Sequence, residues 1–184
     1  MEEQKNFEVL LLPGWKNSDP LHWQSIWQER YGYQRLEQHD WMHPLRGDWS
    51  ARLQEHVVDA ASPVVLVAHS LGCLLTAWWS AHSPQAHTKI KAALLVAPPD
   101  IEQTELRHIL PSWTPSSLEK LPFPSIVVGS QDDPYCTLER SQFFAKAWGS
   151  RWVGVGHAGH INAQSHLDAW DAGHALLNEL TKEH

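Results

Sequence analysis

Short apolar runs alternate along the chain with longer stretches in which apolar residues recur at helical spacing. The short runs have the length and the valine, isoleucine and leucine content of β-strands, whereas the longer stretches are typical of amphipathic helices. The predicted strands are residues 7–12, 33–37, 64–68, 91–97, 125–129 and 151–155. The predicted helices are residues 21–31, 48–60, 71–82, 138–148 and 166–181. This alternation predicts an α/β fold with a parallel sheet.

Two of the predicted strands are apolar at nearly every position, over residues 64–67 and 92–96. A strand that faces solvent on one side alternates between apolar and polar residues, so these two strands are expected to be covered on both faces. The sequence therefore predicts a three-layer α/β/α sandwich with about six parallel strands. The length of 184 residues fits a single domain over residues 1–184.

Charge and composition exclude several classes of partner. The net charge of −7 disfavours nucleic-acid binding through a basic surface. No apolar run reaches the ~20 residues that cross a bilayer, so no contact with a membrane is expected. Residues 1–6 are polar and acidic, unlike a secretory signal, and two cysteines are too few for a disulfide framework. These features favour a cytoplasmic protein and leave its oligomeric state open.

The chain passes from a predicted buried strand into a predicted helix through the sequence Val-Ala-His-Ser-Leu-Gly, with Ser70 at the turn. Such a sharp turn exposes the hydroxyl of its central residue beside the free N–H groups of the helix start. The residues two positions before and after it must be small, because the strand and helix backbones nearly touch. Ala68, where glycine is more usual, and Gly72 meet this condition. The pattern indicates a nucleophilic serine.

Candidate acids and bases follow the fifth and sixth predicted strands. Asp132 and Asp133 come directly after one strand, and His157 and His160 come after the other. Ligands of an open parallel sheet bind beyond the carboxyl ends of its strands, so these groups are expected to lie near Ser70. A serine hydroxyl becomes a good nucleophile when an imidazole takes its proton and a carboxylate fixes the tautomer of that imidazole.

One residue of each pair is the better candidate. Pro134 keeps Asp133 out of the helical conformation, which favours this residue over its neighbour as the orienting acid. Gly159 lets the chain turn tightly before His160, which favours that histidine as the base. The predicted catalytic residues are therefore Ser70, Asp133 and His160.

Two backbone amides are expected to stabilise the oxyanion. One belongs to Leu71, directly after the nucleophile, and the other to Trp15, in the loop after the first strand. Gly14 allows this loop to approach closely. Gly14, His69 and Trp41 are the residues expected to contact the substrate.

Residues 98–124 form the least regular part of the chain and contain six prolines. Because this segment follows the fourth predicted strand, it is expected to lie over the carboxyl edge of the sheet, either as a lid or pocket wall or as a passive connection. Trp113, which lies in this segment, suggests together with Trp15 and Trp41 a pocket lined by aromatic side chains.

A metal site is the main alternative for the histidines. His157 and His160 are three residues apart, and His39 and His43 are four residues apart, but neither pair lies in a His-Glu-x-x-His pattern. Glycine-rich dinucleotide and triphosphate motifs are absent from the sequence. No metal and no cofactor are therefore expected.

Taken together, these motifs resemble the small α/β-hydrolases grouped with retinoblastoma-binding protein nine. The resemblance rests on sequence pieces that span nearly the whole chain: Leu12-Pro13-Gly14-Trp15 with Ser18, His22-Trp23-Gln24, Glu37-Gln38-His39-Asp40-Trp41 with Pro44, Val67 to Cys73, Leu95-Val96-Ala97-Pro98, Ser130 to Cys136, Ala147-Trp148-Gly149 and Gly159-His160-Ile161-Asn162.

The resemblance implies a compact α/β-hydrolase fold without a large cap and with the strand order 2-1-3-4-5-6. It also implies a catalytic triad of Ser70, Asp133 and His160 that hydrolyses an ester, thioester or amide of a small-molecule or peptide-like acyl substrate. Two alternatives remain open from the sequence: an acyltransferase that uses the same acyl-enzyme, and a non-catalytic module that binds a protein or ligand on the same fold.

Overall fold

The computed structural model describes residues 6–182 and contains a six-stranded sheet in which each strand runs parallel to its neighbours. The strand order is β2-β1-β3-β4-β5-β6, which confirms the predicted topology. The strands are β1 (Glu8–Leu12), β2 (Gln34–Arg35), β3 (Val64–His69), β4 (Ile90–Val96), β5 (Ser125–Gly129) and β6 (Arg151–Gly154).

Helices connect successive strands and cover both faces of the sheet. They are α1 (Trp23–Tyr31), α2 (Arg46–Asp59), α3 (Leu71–His82), α4 (Gln85–Thr88), α5 (Thr104–Ile109), α6 (Leu138–Trp148) and α7 (Asp171–Thr181). Two short 3₁₀ segments, Pro111–Trp113 and Ala163–Ser165, complete the regular structure.

Alternate residues of the central strands enter two separate hydrophobic clusters. Leu10, Leu66 and Leu95 belong to a cluster with the buried side chains of α2, α3 and α6. Their neighbours in the strands enter a second cluster, on the opposite face, with α1 and α7. Successive strand residues point to opposite faces, so the near-continuous apolar runs give the predicted three-layer α/β/α sandwich.

The last helix begins later than predicted. The chain continues as a 3₁₀ turn and a loop after His160, and α7 starts at Asp171 rather than at residue 166. His166, Asp168 and Trp170 have φ angles of 51°, 49° and 41°, which interrupt a right-handed helix. The other predicted boundaries differ from the observed ones by at most two residues.

The proline-rich segment contains more regular structure than predicted. Helix α5 and the 3₁₀ turn Pro111–Trp113 both lie within residues 98–124. Leu106, Leu110 and Trp113 are buried in the first hydrophobic cluster. The segment is therefore packed onto the body of the protein at the carboxyl edge of the sheet.

Candidate active site

Ser70 lies between β3 and α3 in a conformation that side-chain-bearing residues rarely adopt, with a φ angle of 55° and a ψ angle of −121°. Close packing around it explains the small residues of the motif. A Cβ atom on Gly72 would overlap the carbonyl oxygen of Leu12. Ala68 is fully buried and its methyl group is accommodated in the first cluster. The strand therefore turns directly into the helix and leaves Ser70 at the sheet edge.

The structure brings Ser70, His160 and Asp133 into one hydrogen-bonded chain. Nε2 of His160 is 2.8 Å from Oγ of Ser70, and Nδ1 is 3.0 Å from each carboxylate oxygen of Asp133. The side chains of His160 and Asp133 are 9% and 3% exposed. A carboxylate can only accept, so Nδ1 carries the hydrogen and Nε2 accepts from the serine hydroxyl. The arrangement can transfer the hydroxyl proton to the imidazole.

Asp132, the alternative acid, has a different set of contacts. Its Oδ1 atom accepts hydrogen bonds from Oγ of Ser130 at 2.9 Å and from the amide of Gly159 at 2.8 Å. The Gly159 bond is the main reason that the pKa of this exposed carboxyl is lowered. Asp132 therefore shapes the loop that carries His160. His157, the alternative base, is exposed.

Of the two amides predicted to stabilise an oxyanion, that of Leu71 directly follows Ser70, and that of Trp15 lies in the loop after β1. A Cβ on Gly14 would lie 2.9 Å from Cβ of Ser70 and 3.3 Å from the amide nitrogen of Leu71, so the loop after β1 lies directly against the turn. Within residues 6–182, no carbonyl accepts a loop or cap hydrogen bond from the Trp15 or Leu71 amide. Both N–H groups are therefore available to a ligand.

Two polar side chains for which the sequence predicted no role, those of Arg35 and Gln24, hold the loop after β1 in place. The guanidinium of Arg35 donates to Oδ1 of Asn17 at 2.8 Å and to the carbonyl of Ser18 at 3.0 Å. The amide of Gln24 accepts from the Ser18 hydroxyl and donates to the carbonyl of Leu12. Gln24 could have been found through the motif His22-Trp23-Gln24. The contact between Arg35, in the edge strand β2, and this loop has no sequence signature.

A cavity of about 610 Å³ opens at Ser70. Its wall combines apolar side chains with a polar rim, formed by Gly14, Trp15, Lys16, Asn17, Ser18, Asp19, Pro20, His22, His69, Ser70, Leu71, Pro99, Ile101, Leu106, Leu110, Tyr135, His160, Asn162, Ala163 and Gln164. Pro99, Ile101, Leu106 and Leu110 contribute to the apolar part, so the proline-rich segment forms one wall of the pocket.

The predicted aromatic lining is wrong for two of its three tryptophans. Trp15 lines the cavity, whereas Trp41 and Trp113 do not. Both instead pack on Trp49 in the first cluster, at ring distances of 5.4 Å. Trp41 supports the loop through its carbonyl, which accepts from the Lys16 amide at 3.0 Å. Its predicted role as a substrate contact is therefore corrected to one in the loop scaffold.

His69 also has a different environment from that of an ordinary substrate contact. It lines the cavity, but its Nε2 atom lies 2.8 Å from the carbonyl oxygen of His160. Burial lowers the pKa of His69 well below the usual range. Burial likewise lowers the pKa of the adjacent His22 to about 3. Both imidazoles are therefore neutral at physiological pH, and the donor of His69 is already engaged.

Two further findings concern metal binding and membrane crossing. Among the residues that the structure describes, no three His, Cys, Asp or Glu side chains are grouped so that they could hold a metal ion. No helix within residues 6–182 combines the length and the apolar character needed to cross a membrane.

Comparisons with known proteins match this chain to hydrolases. The profile of a family described as serine hydrolase matches residues 9–179. A YdeN-like hydrolase from Pectobacterium atrosepticum is 30% identical, and the match covers 96% of this chain and 91% of that one with a TM-score of 0.84. A search of curated protein sequences finds no significant match.

More distant structures share the fold. The ydeN gene product from B. subtilis is 18% identical, with coverage of 95% of this chain and 99% of that chain and a TM-score of 0.71. Est1E from Butyrivibrio proteoclasticus, in a structure with ferulic acid bound, is 13% identical, with coverage of 98% and 92% and a TM-score of 0.73. None of these matches names the narrower group that the motifs resemble, so that membership stays a prediction.

Proposed function

Because the chain belongs to the serine hydrolase family and has an α/β-hydrolase fold, we propose that it hydrolyses esters, thioesters or amides through an acyl-enzyme on Ser70. The observation that carries this proposal is the position of His160. One nitrogen of its ring lies 2.8 Å from the Ser70 hydroxyl while the other contacts both oxygens of Asp133. This is the contact pattern of a serine nucleophile with its base and orienting acid.

The proposed reaction has two halves. Oγ of Ser70 attacks the carbonyl carbon of the substrate as its proton passes to Nε2 of His160, and the Asp133 carboxylate stabilises the resulting imidazolium. The N–H groups of Leu71 and Trp15 stabilise the oxyanion. His160 then returns the proton to the leaving group, which departs and leaves an ester on Ser70. Water attacks this ester as its proton passes to the same imidazole; the bond to Oγ then breaks, the acid leaves, and His160 returns the proton to Oγ of Ser70.

The cavity favours a substrate with an apolar acyl group. Ile101, Leu106 and Leu110 give one apolar wall that offers no hydrogen-bonding side chain. A leaving group must lie beside His160 to receive its proton, and the adjoining lining residues Asn162 and Gln164 are polar. We therefore expect aliphatic acyl groups to be preferred and polar leaving groups to be tolerated.

The cellular setting is part of the proposal. Cys73 and Cys136 are both free and buried, which supports a protein that works in the reducing cytoplasm. Its proposed partners are small-molecule or peptide-like acyl substrates rather than nucleic acid, in keeping with the net charge of −7.

Labelling with a fluorophosphonate, combined with turnover of p-nitrophenyl esters, tests the function. Wild-type protein should be labelled once and should hydrolyse the esters, whereas Ser70→Ala should escape labelling and lose at least about a thousandfold in kcat/KM. Ser80→Ala is a matched control, because Ser80 is a buried serine of α3, the helix that follows Ser70, and its hydroxyl has no partner among the described residues.

Equal labelling of wild type and Ser70→Ala, or ester turnover that survives this substitution, would contradict the proposal. Products formed with an added alcohol or amine separate the two kinds of acyl transfer. Hydrolysis predicts that the free acid remains the main product, whereas an acyltransferase would transfer most of the acyl group to the acceptor.

A further inference from the structure

Two consecutive carbonyl groups in the histidine loop are held by buried ring N–H donors. Nε2 of His69 lies 2.8 Å from the carbonyl oxygen of His160, and Nε1 of Trp23 lies 2.9 Å from that of Ile161. A carbonyl can only accept, so both ring nitrogens carry a hydrogen. The donors come from the end of β3 and from the first residue of α1, far from the loop in sequence.

The loop needs such partners because of its backbone conformation. Ile161 has a φ angle of 50°, in a region that β-branched residues rarely adopt. Its side chain is fully buried in the second hydrophobic cluster. A conformation that is unfavourable locally persists only where the surroundings impose it. The two N–H donors and this buried side chain together impose it on the residues next to the imidazole of His160.

The donors are themselves held rigidly by other rings. The ring of His69 packs edge-on against His22 at a centroid distance of 4.6 Å. The ring of Trp23 packs against Trp27 at 4.7 Å and against Trp170 at 5.1 Å. Both donors are almost completely buried. They therefore form a closely packed frame beside the loop.

We propose that His69 and Trp23 are positioning residues that hold the main chain of His160, so that its imidazole stays within hydrogen-bonding distance of Ser70 and Asp133 at once. We call this pair of donors the carbonyl clamp. The inference rests on the proposed hydrolase function. Trp23 is the more informative member, because it does not line the cavity and its indole N–H contacts the loop directly.

The rate should be sensitive to this clamp. A displacement of about 1 Å at a reacting group costs on the order of a hundredfold in rate. The distances from His160 to Ser70 and to Asp133 are 2.8 Å and 3.0 Å, so a small rotation of the loop would break one contact or both. Substrate binding would change little, because the cavity wall is formed mainly by other elements.

The substitution Trp23→Phe tests the clamp, because it keeps an aromatic ring and removes the N–H donor. We expect kcat for a p-nitrophenyl ester to fall at least about tenfold, with KM within about twofold of wild type. The rate of fluorophosphonate labelling should fall in parallel. Hydrogen exchange of residues 157–165 should become faster.

Trp148→Phe is the matched control. Trp148 lies at the end of α6 and is equally buried, and its Nε1–H donates to the carbonyl of Ser117 at 2.8 Å. This substitution removes the same kind of hydrogen bond without touching His160 or Ile161. We expect a similar loss of melting temperature, together with wild-type kcat and wild-type exchange in residues 157–165.

Three results would overturn the clamp: wild-type kcat in Trp23→Phe, an equal fall of kcat in both variants, or unchanged exchange in residues 157–165. If Trp23→Phe does not fold, His69→Leu removes the other donor, and its labelling rate and exchange are read in the same way. If wild type neither turns over esters nor is labelled, the proposed function fails, and the exchange of residues 157–165 in the two tryptophan variants still decides the clamp.

Discussion

Ser70 illustrates how a single residue can carry local strain for the sake of the site. Its φ angle of 55° is unfavourable for a residue with a Cβ atom, at a cost on the order of 1–3 kcal/mol. The surrounding packing holds it there: its amide donates to the carbonyl of Val96 at 2.9 Å, and its carbonyl accepts from the amide of Cys73. The hydroxyl is therefore directed at His160 before any substrate binds.

Gly14 is a residue at which a single methyl group should disturb the proposed oxyanion site. A Cβ there would lie 2.9 Å from Cβ of Ser70 and 3.2 Å from the carbonyl oxygen of His69. Gly14→Ala must therefore push the loop after β1 away from the turn at Ser70. We expect kcat/KM for an ester to fall about a hundredfold, measured by steady-state kinetics.

Gly47→Ala provides the control for this prediction. A Cβ on Gly47 would meet no atom within 4 Å, and the residue lies in α2, where alanine stabilises a helix by about 0.5–1 kcal/mol relative to glycine. Activity should stay at the wild-type level and the melting temperature should rise slightly. Full activity in Gly14→Ala would show that the loop amide of Trp15 is not needed.

The sequence was most informative where the chemistry requires one residue type at a strand end. It was less informative where two adjacent residues could fill the same role. Ser70 and His160 stand beside small residues that a tight turn requires. Asp132 and Asp133 are adjacent carboxylates; Pro134 favours Asp133, and the folded loop brings Asp133 rather than Asp132 to His160. The hydrogen bond that His69 donates to the carbonyl of His160, far away in sequence, leaves no pattern that a single sequence could reveal.

At the scale of elements, prediction succeeded for the central strands and failed for the irregular connections. The apolar runs that form β3 and β4 have one physical explanation, burial on both faces. The stretch before α7 has helical spacing, yet three left-handed residues delay the helix start to Asp171. Tertiary packing overrode local propensity there, since Trp170 is buried in the second cluster against Trp23.

Helix α5 belongs to the segment for which the sequence left two interpretations open, and it carries the side chain best placed to test acyl preference. Leu106 lines the cavity. Because Leu106→Ala enlarges the cavity, we expect it to raise kcat/KM for esters of long acyl chains relative to esters of short ones by about tenfold. The measurement is a panel of p-nitrophenyl esters of increasing acyl length.

A residue of the same helix separates this effect from a general disturbance of α5. Ile109 is 55% exposed and does not line the cavity, so Ile109→Ala should keep the wild-type order of preference. Leu106→Ala is also expected to lower the free energy of unfolding by about 2 kcal/mol or more. An unchanged chain-length profile in a folded Leu106→Ala protein would place the acyl group elsewhere in the cavity.

At the scale of the whole molecule, buried histidines should make the fold sensitive to acid. The pKa of His22 is lowered from 6.5 to about 3, chiefly by burial. The unfolded chain binds a proton at this residue as the pH falls below about 6.5, whereas the folded chain does not until about pH 3. Stability is therefore fully present above pH 6.5 and is lost progressively as the pH falls. His69 acts in the same direction.

Chemical denaturation at several pH values tests this linkage. Between about pH 6 and pH 4, the free energy of unfolding of wild type should fall by about 1.4 kcal/mol per pH unit for each such histidine. His22→Asn keeps a side chain that can cap α1 and should reduce this slope by one histidine's share. The exposed His87 is the control, and His87→Asn should leave the slope unchanged. Equal slopes in wild type and His22→Asn would refute the prediction.

The positions of the hydrogen-bonded partners also have a consequence for the newly made chain. The ribosome adds Ser70 ninety residues before His160, which at common elongation rates of about 5–20 residues per second separates the two by roughly 5 to 20 seconds. During that interval the proposed nucleophile has no imidazole beside it. Under the proposed mechanism, a nascent chain therefore does not react with cellular acyl compounds until β6 and the loop beyond it have emerged from the ribosome.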